Sequence, residues 1–321
     1  MKLLSIAIPT YNRGAFLNEE LECILPQLIQ YRDDVEIVIS DNCSTDNTQQ
    51  VVKSISDKYA FPIDYKRLDK NIYFEDNFDA VVNRTNGKYI QMMGDDDILD
   101  NHFYDRIIPL LKSKNYGLIH CNRLEGDATC SNGVLYDKQF EFVDKELDAK
   151  SFIKKCLTGP GFMTSLIFNH ECWKAGEPYI QENFYGYHFL GRLYHGVIKL
   201  SLPNYYIYLP LILMRNPGRS WGGMYRLFHF VGLSNLFLSL DEKVEGVYQI
   251  WEKRLHNKTN RKSNMLMLSS ISTEAEFYRK YKKEFEQFLS KEERVAYAIL
   301  TSPLASRALS IIYTKIVGLF Y

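Results

Sequence analysis

Three carboxylates stand side by side at Asp95, Asp96 and Asp97, closing the apolar run Lys88-Tyr-Ile-Gln-Met-Met-Gly94. Adjacent carboxylates repel, so a chain keeps them together most readily when a cation neutralises them. Hard divalent ions such as Mn²⁺ and Mg²⁺ prefer oxygen ligands, and Mg²⁺ takes one or two carboxylates while leaving positions open for phosphate oxygens. An open α/β sheet binds its ligands at the carboxyl ends of its strands, which is where this triplet falls if the run is a strand. The competing reading is an acidic turn ahead of a helix, where Asp is ordinary.

The flanking pattern supplies the elements that would position these groups. Residues 3–8 form a short apolar run closed by Pro9, read as a buried strand feeding a loop. Apolar residues at 17, 21, 24, 25 and 28 have the spacing of an amphipathic helix over 17–31. A β-branched run at 35–39 leads to Asp41, and Ser44 or Thr45 is expected to cap a helix through Lys58. A third strand is read at 63–68, a helix at 74–85 with Gly87 just past its end, and a fourth strand at 88–93. Strands alternating with helices imply an α/β fold with a doubly wound, mostly parallel sheet. Beyond Asp97 the pattern predicts a helix at 103–112, strands at 117–122, 162–169 and 205–214, and a helix at 184–194. From about Met224 the chain reads as helical.

The 321 residues are 46% hydrophobic and 24% charged, a globular composition with zero net charge. That charge is unevenly spread. Residues 1–100 hold 10 Lys+Arg against 18 Asp+Glu, a balance of −8, while residues 201–321 hold 17 against 10, a balance of +7. The polarity suits a metal site in the first part and an anionic surface or substrate for the last. It lacks the broad basic field of a nucleic-acid binder. The six cysteines have no C-x-x-C spacing and are read as free thiols of a reducing compartment. The apolar N-terminal run is too short for a signal peptide, and no apolar segment reaches the length of a membrane span. The expected location is cytoplasmic, including the inner face of the cell membrane.

Three motifs in order carry a resemblance. Ser5-Ile-Ala-Ile-Pro-Thr-Tyr-Asn-Arg13 resembles the opening of family 2 glycosyltransferases of the GT-A fold. Ile37-Val-Ile-Ser-Asp-Asn-Cys-Ser-Thr-Asp-Asn-Thr48 is similar to their second element, and the segment from Asn86 to Leu99 to the strand entering their metal-binding Asp-x-Asp motif. The match is close over residues 1–99, faint to about Trp221 and absent beyond. It implies a nucleotide-sugar half at 1–100, an acceptor half at 101–222 and a helical region at 223–321. It further implies nucleotide-sugar contacts from Pro9, Thr10, Tyr11, Asn12, Asp41 and Asp95, and a Mn²⁺ or Mg²⁺ ion held by Asp95, Asp96 and Asp97. Gly94 stands where a commoner family spelling has Asp, which leaves open which two carboxylates face the metal.

The implied reaction is transfer of a sugar, with inversion, from a nucleotide-diphosphate donor to a hydroxyl of a saccharide acceptor, including a lipid-linked one in surface-polysaccharide assembly. Many family members begin an acceptor-side helix with a Glu-Asp pair, and this chain has Tyr185-Gly186 there. The nearest candidates for the general base are Glu182 and His188. Arg219, in the loop Asn216-Pro-Gly-Arg-Ser-Trp221, suits a bidentate phosphate contact, and a surface turn reads equally well. The segment after Ser302-Pro303 is amphipathic and has no acidic residue, as suits contact with an anionic membrane or with another subunit. Two rivals remain at this point. A sugar-phosphate nucleotidyltransferase would open with a Gly-rich, Arg-containing loop that residues 9–15 lack. For a catalytically inert binding or scaffold protein on the same fold, the missing Glu-Asp pair speaks a little in favour and the three intact carboxylates speak against.

Overall fold

The computed structural model describes residues 1–126, 134–136, 143–215, 227–256 and 275–302. Arg219 and the amphipathic segment after Ser302 lie outside the described residues. Two compact units are present, one of Met1–Ile180 with His188–Gly218 and one of Gln181–Tyr187 with Arg219–Tyr321.

The first unit begins as a strict alternation: β1 (Lys2–Thr10), α1 (Gly14–Leu28), β2 (Val35–Asp41), α2 (Thr48–Tyr59), β3 (Ile63–Arg67), α3 (Phe74–Val82) and β4 (Gly87–Met92). It continues with β5 (Ile98–Leu99), α4 (Phe103–Ser113), β6 (Leu118–Glu125), β7 (Val134–Leu135), β8 (Lys145–Leu147) and α5 (Ala149–Cys156). It closes with β9 (Leu166–Asn169), α6 (His170–Gly176), α7 (His188–Leu200) and β10 (Asn204–Met214). One sheet runs β3-β2-β1-β4-β9-β6-β10-β5, with β7 beside β6 and β8 beside β10. β1 to β4 are mutually parallel. β9 is antiparallel to both β4 and β6, and β10 is parallel to β6. The carboxyl ends of β1, β2, β4, β6 and β10 therefore share one edge, and the register puts Thr10 directly beside Asp41.

Both faces of the sheet are covered, as parallel sheets require. Leu4, Ile6 and Ile8 of β1 pack with Leu17, Leu21 and Ile24 of α1 and with Phe103 and Ile107 of α4. Ile167 of β9 belongs to that cluster, so Phe168, one residue on, faces the other way. There its ring stacks on Trp173 of α6 at 5.5 Å, and Phe78 of α3 stacks on Trp173 at 5.5 Å and on Phe189 of α7 at 5.0 Å. α6 and α7 approach backbone to backbone. A Cβ on Gly176 would lie 1.7 Å from the Arg192 carbonyl oxygen, and one on Gly196 would lie 1.9 Å from that of Cys172.

Several expected boundaries move. Pro9 and Thr10 are the last two residues of β1 rather than loop. The helix expected at 184–194 begins only at His188 and runs to Leu200, because Tyr185 and Gly186 both have positive φ and interrupt it. The strand expected at 162–169 starts at Leu166, after a 3₁₀ turn at Met163–Ser165. Gly87 belongs to β4 and does not cap α3. Its lack of a side chain lets β4 lie against β1, where a Cβ would stand 2.5 Å from Ser5 Oγ.

In the second unit, a π-helical turn at Leu227–Gly232 leads into helices Leu233–Leu240 and Val247–Leu255. Trp251 is buried there and donates through Nε1 to Ser234 Oγ at 3.0 Å. Helix Lys291–Leu300 starts with a capping box of Ser290 and Glu293, and its Tyr297 is buried against Tyr278 and Phe285. This helix is core to its unit, so a chain cut near Ser290 would lose a buried aromatic side chain. Among the described residues, no helix is long and apolar enough to cross a membrane.

His120 of β6 is fully buried, and burial, with the Arg123 charge nearby, lowers its pKa to about 3. The folded chain thus holds it neutral, while the unfolded chain protonates it near pH 6.5. Its contribution to stability is full above pH 6.5 and falls by about 1.4 kcal/mol per pH unit between 6.5 and 3. Urea midpoints measured at pH 7 and pH 5 should fall more steeply for the native chain than for His120→Gln. Equal slopes would exclude the effect.

Candidate functional site

The first two motifs are stitched together at the shared sheet edge. Asn12, at φ +52°, donates its N–H to Ser44 Oγ at 2.8 Å and accepts from the Thr45 N–H through Oδ1 at 2.7 Å. Asn tolerates that left-handed conformation better than most residues. Asp46 accepts from the Gly14 N–H at 2.9 Å and from the Thr48 N–H at 3.1 Å. Ser44 and Thr45 therefore do not cap α2. Asn47 stands at its N-cap, and the side chains expected to cap it tie the loop after β2 to the loop after β1. Asp46→Ala leaves the N–H groups of the buried Gly14 and Thr48 without this acceptor, so about 1–3 kcal/mol of stability should be lost. Chemical denaturation checks this, and an unchanged midpoint would deny the stitch any weight.

Asp41 ends β2 fully buried. Its Oδ1 accepts from the Ser44 N–H at 2.7 Å and its Oδ2 from the Tyr65 hydroxyl at 2.5 Å. Burial and the Asp41 carboxylate push the Tyr65 phenol well above its ordinary pKa. Both oxygens thus hold the turn, each through one of its two acceptor positions. The ring of Tyr11, 46% exposed just past β1, is the accessible flat surface at this edge among the motif residues.

The acidic triplet follows β4, and its three side chains take three different partners. Asp95 Oδ2 accepts from Thr10 Oγ1 at 2.7 Å, joining the end of β4 to the end of β1. Asp96 pairs with Arg13 at 2.6 Å, with both side chains partly exposed. Asp97 is 2% exposed and accepts from Thr164 Oγ1, while its Oδ1 is buried without a partner. Burial raises the pKa of Asp95 to about 6 and that of Asp97 to about 7, and the neighbouring Asp96 adds to both. Among the described residues, no three His, Cys, Asp or Glu side chains are grouped to hold a metal ion. The three side chains diverge because each is bonded elsewhere, and which two of them face a metal stays open. One or two carboxylates still suffice for a hard cation that also takes phosphate oxygens, and Asp95 and Asp96 supply acidic oxygens at the strand end. The residues present fit such an ion.

Four further residues surround the triplet. Arg13 was legible only as the last letter of a motif. Arg215, at the end of β10, donates through Nε to the Asp96 carbonyl oxygen and pairs with Glu19 at 2.5 Å. Thr164 also accepts from the Gly94 N–H at 2.9 Å, fixing the turn into the triplet. Glu20 of α1 is fully buried with neither carboxylate oxygen paired, and burial together with the triplet's charge raises its pKa well above the ordinary value. No local pattern announced these, since their partners come from distant elements.

The two candidate bases separate. Glu182 is exposed in a 3₁₀ turn at Glu182–Phe184, in the second unit. His188 is the first residue of α7 in the first unit, and its Nδ1 lies 2.6 Å from Glu75 Oε1 in the first turn of α3. Glu75 also accepts from the His188 backbone N–H at 3.2 Å. A carboxylate at Nδ1 fixes the ring and favours the tautomer that carries its N–H on Nδ1.

The family model described as Glycosyl transferase family 2 matches residues 5–167, just over half of the chain, and takes in the ends of β1, β2, β4 and β6. The chain belongs to glycosyltransferase family 2. Over 236 residues it is 30% identical to the abequosyltransferase RfbV of Salmonella typhimurium, covering 68% of each chain. This glycosyltransferase is similar in fold to residues 1–349 of S. aureus TarS, with a TM-score of 0.62 at 16% identity over 97% of this chain and 88% of that one. It also resembles the mannosyltransferase PcManGT of Pyrobaculum calidifontis, solved in complex with GDP-Man and Mn²⁺, at a TM-score of 0.55 and 13% identity over 93% and 86% of the chains. The likeness makes the fold GT-A, and membership in the family sets aside the nucleotidyltransferase reading.

Proposed function

We propose that this glycosyltransferase moves a sugar from a nucleotide-diphosphate donor to a hydroxyl of a saccharide acceptor, by a single inverting displacement aided by Mn²⁺ or Mg²⁺. The observation that carries this reading is the bond between Thr10 and Asp95, which brings the first and third motifs together at the edge where the second also ends. The complex of TarS with UDP and that of PcManGT with GDP-Man and Mn²⁺, both on this fold, support a nucleotide-sugar donor and a divalent ion. In this reading residues 1–100 bind the donor, residues 101–222 face the acceptor, and residues 223–321 form an accessory helical region.

Asp96, with Asp95 beside it, would hold the cation, which supplies Lewis-acid stabilisation of the departing diphosphate. Thr10 orients Asp95 toward the strand end. Tyr11 offers its ring to the base, and the stitched loops keep that surface in place. Arg13 and Arg215 lie on either side of Asp96 and bring positive charge toward the diphosphate. His188, held by Glu75, takes the proton from the acceptor hydroxyl at Nε2.

Incubating the full chain with a panel of nucleotide sugars, a saccharide acceptor and Mn²⁺ tests this reading. Metal-dependent release of nucleoside diphosphate is the expected result. Release that persists in excess chelator would remove the metal, and no release with any donor would remove the reaction.

A further inference from the structure

Two arginines flank Asp96, and they are held differently. The Arg215 side chain is 6% exposed; it donates through Nε to the Asp96 carbonyl oxygen and pairs with Glu19 through Nη1 at 2.5 Å. The Arg13 side chain is 28% exposed, and among the described residues its guanidinium makes one hydrogen bond, from Nη1 to Asp96 Oδ2 at 2.6 Å. Its other contact is the Phe16 ring, whose centre lies 5.5 Å from the guanidinium carbon. Arg13 also stands at the N-cap of α1 without a capping bond, where the positive end of the helix disfavours a cation. We infer that Arg13 is an exchangeable counter-ion, which pairs with Asp96 until a divalent cation takes that carboxylate and then turns to the diphosphate of the donor. This step rests on the metal-assisted transfer proposed above.

The exchange follows from charge. Asp95 and Asp97 are each bonded to a threonine hydroxyl, a neutral partner compatible with a cation beside it. Asp96 is instead neutralised by a full positive charge, and that charge also acts on Asp95. A divalent ion held by Asp95 and Asp96 repels a guanidinium on the same carboxylate. The pair is partly exposed on both sides and therefore weak, so it gives way at little cost. Only the side chain need move, because the Arg13 carbonyl oxygen stays bonded to the Leu17 N–H at 2.9 Å in the first turn of α1. The released fork keeps its charge at the sheet edge, and its planar N–H groups suit phosphate oxygens. Arg215 cannot take this part, since its head is buried and committed to Glu19. Metal alone must displace an internal cation, whereas metal with diphosphate gives that cation a new partner. Each ligand thereby favours the other.

Titration of the full chain with Mn²⁺ alone, read by electron paramagnetic resonance, tests the exchange together with calorimetry of UDP and GDP at saturating Mn²⁺. Arg13→Gln should bind Mn²⁺ alone about threefold more tightly than the native chain, since no internal cation is left to displace. Arg13→Lys keeps the charge and should bind Mn²⁺ as the native chain does. With Mn²⁺ present, nucleoside diphosphate affinity should fall about tenfold in Arg13→Gln, the loss of one charge-assisted contact. Opposite signs for the two ligands are the signature, because a residue that only shaped the loop would weaken both. Equal or weaker Mn²⁺ binding by Arg13→Gln, or undiminished nucleotide affinity, overturns the inference and leaves the transfer reaction standing. Failure of the native chain and Arg13→Gln alike to bind Mn²⁺ overturns the inference together with the metal's part in that reaction.

Discussion

Asp96→Ala is expected to lower turnover by about 10³-fold or more, the scale of losing a group that stabilises charge on the leaving diphosphate. Two negative charges on a diphosphate cannot approach Asp95 and Asp96 without several kcal/mol of repulsion unless a cation lies between them. Metal and nucleotide should therefore bind cooperatively in the native chain. In Asp96→Ala the metal-dependent part of nucleotide binding should vanish. Stability should move by at most about 1 kcal/mol, because the lost partner is a partly exposed Arg13 and an adjacent carboxylate repulsion is relieved. Titration calorimetry of UDP and GDP with and without Mn²⁺ separates these quantities. An active Asp96→Ala enzyme, or one whose nucleotide binding keeps its metal dependence, would defeat the assignment.

His188→Gln is expected to cut turnover by about 10²–10⁴-fold while nucleoside diphosphate affinity holds, because a proton acceptor is lost and no donor contact is. Glu75→Gln should keep the imidazole in place through a neutral hydrogen bond but lose its charge, giving a smaller loss of about tenfold. The ordering of the two variants is the test. Near-normal turnover in His188→Gln would place the base elsewhere, and a Glu75 variant worse than the His188 variant would make the carboxylate the proton acceptor. Glu182→Gln, altering an exposed side chain of the other unit, should leave turnover near that of the native chain.

The first hundred residues were legible because β1, β2 and β4 are short apolar runs that stop at polar, chemically distinctive residues. The period of two against 3.6 gave the alternation, and the ends of the runs gave the edge. Partners were not legible. Thr10 meets Asp95 across 85 positions, Thr164 meets Asp97 across 67 and Glu75 meets His188 across 113, and each meeting is made by sheet order rather than by spacing. The sequence therefore left open which two carboxylates of the triplet could face a metal, and each of the three takes a different partner. The start of α7 was missed for a local reason: Phe184 continues the apolar pattern of a helix, but the positive φ of Tyr185 and Gly186 breaks the backbone before it can form. His188 looked like a residue inside a helix and is instead its first residue.

The touching backbones of α6 and α7 limit how this enzyme can move and how it can change. Sliding of packed helices works through side chains that switch rotamers as the interface shifts. At Gly176 and Gly196 there is no side chain to switch, and carbonyl oxygens already occupy the space. Shear along this seam is blocked, so the two helices travel as one rigid plate carrying His188 and Trp173 together. Exchanging the side chains that line this plate would leave the spacing between His188 and Trp173 unaltered.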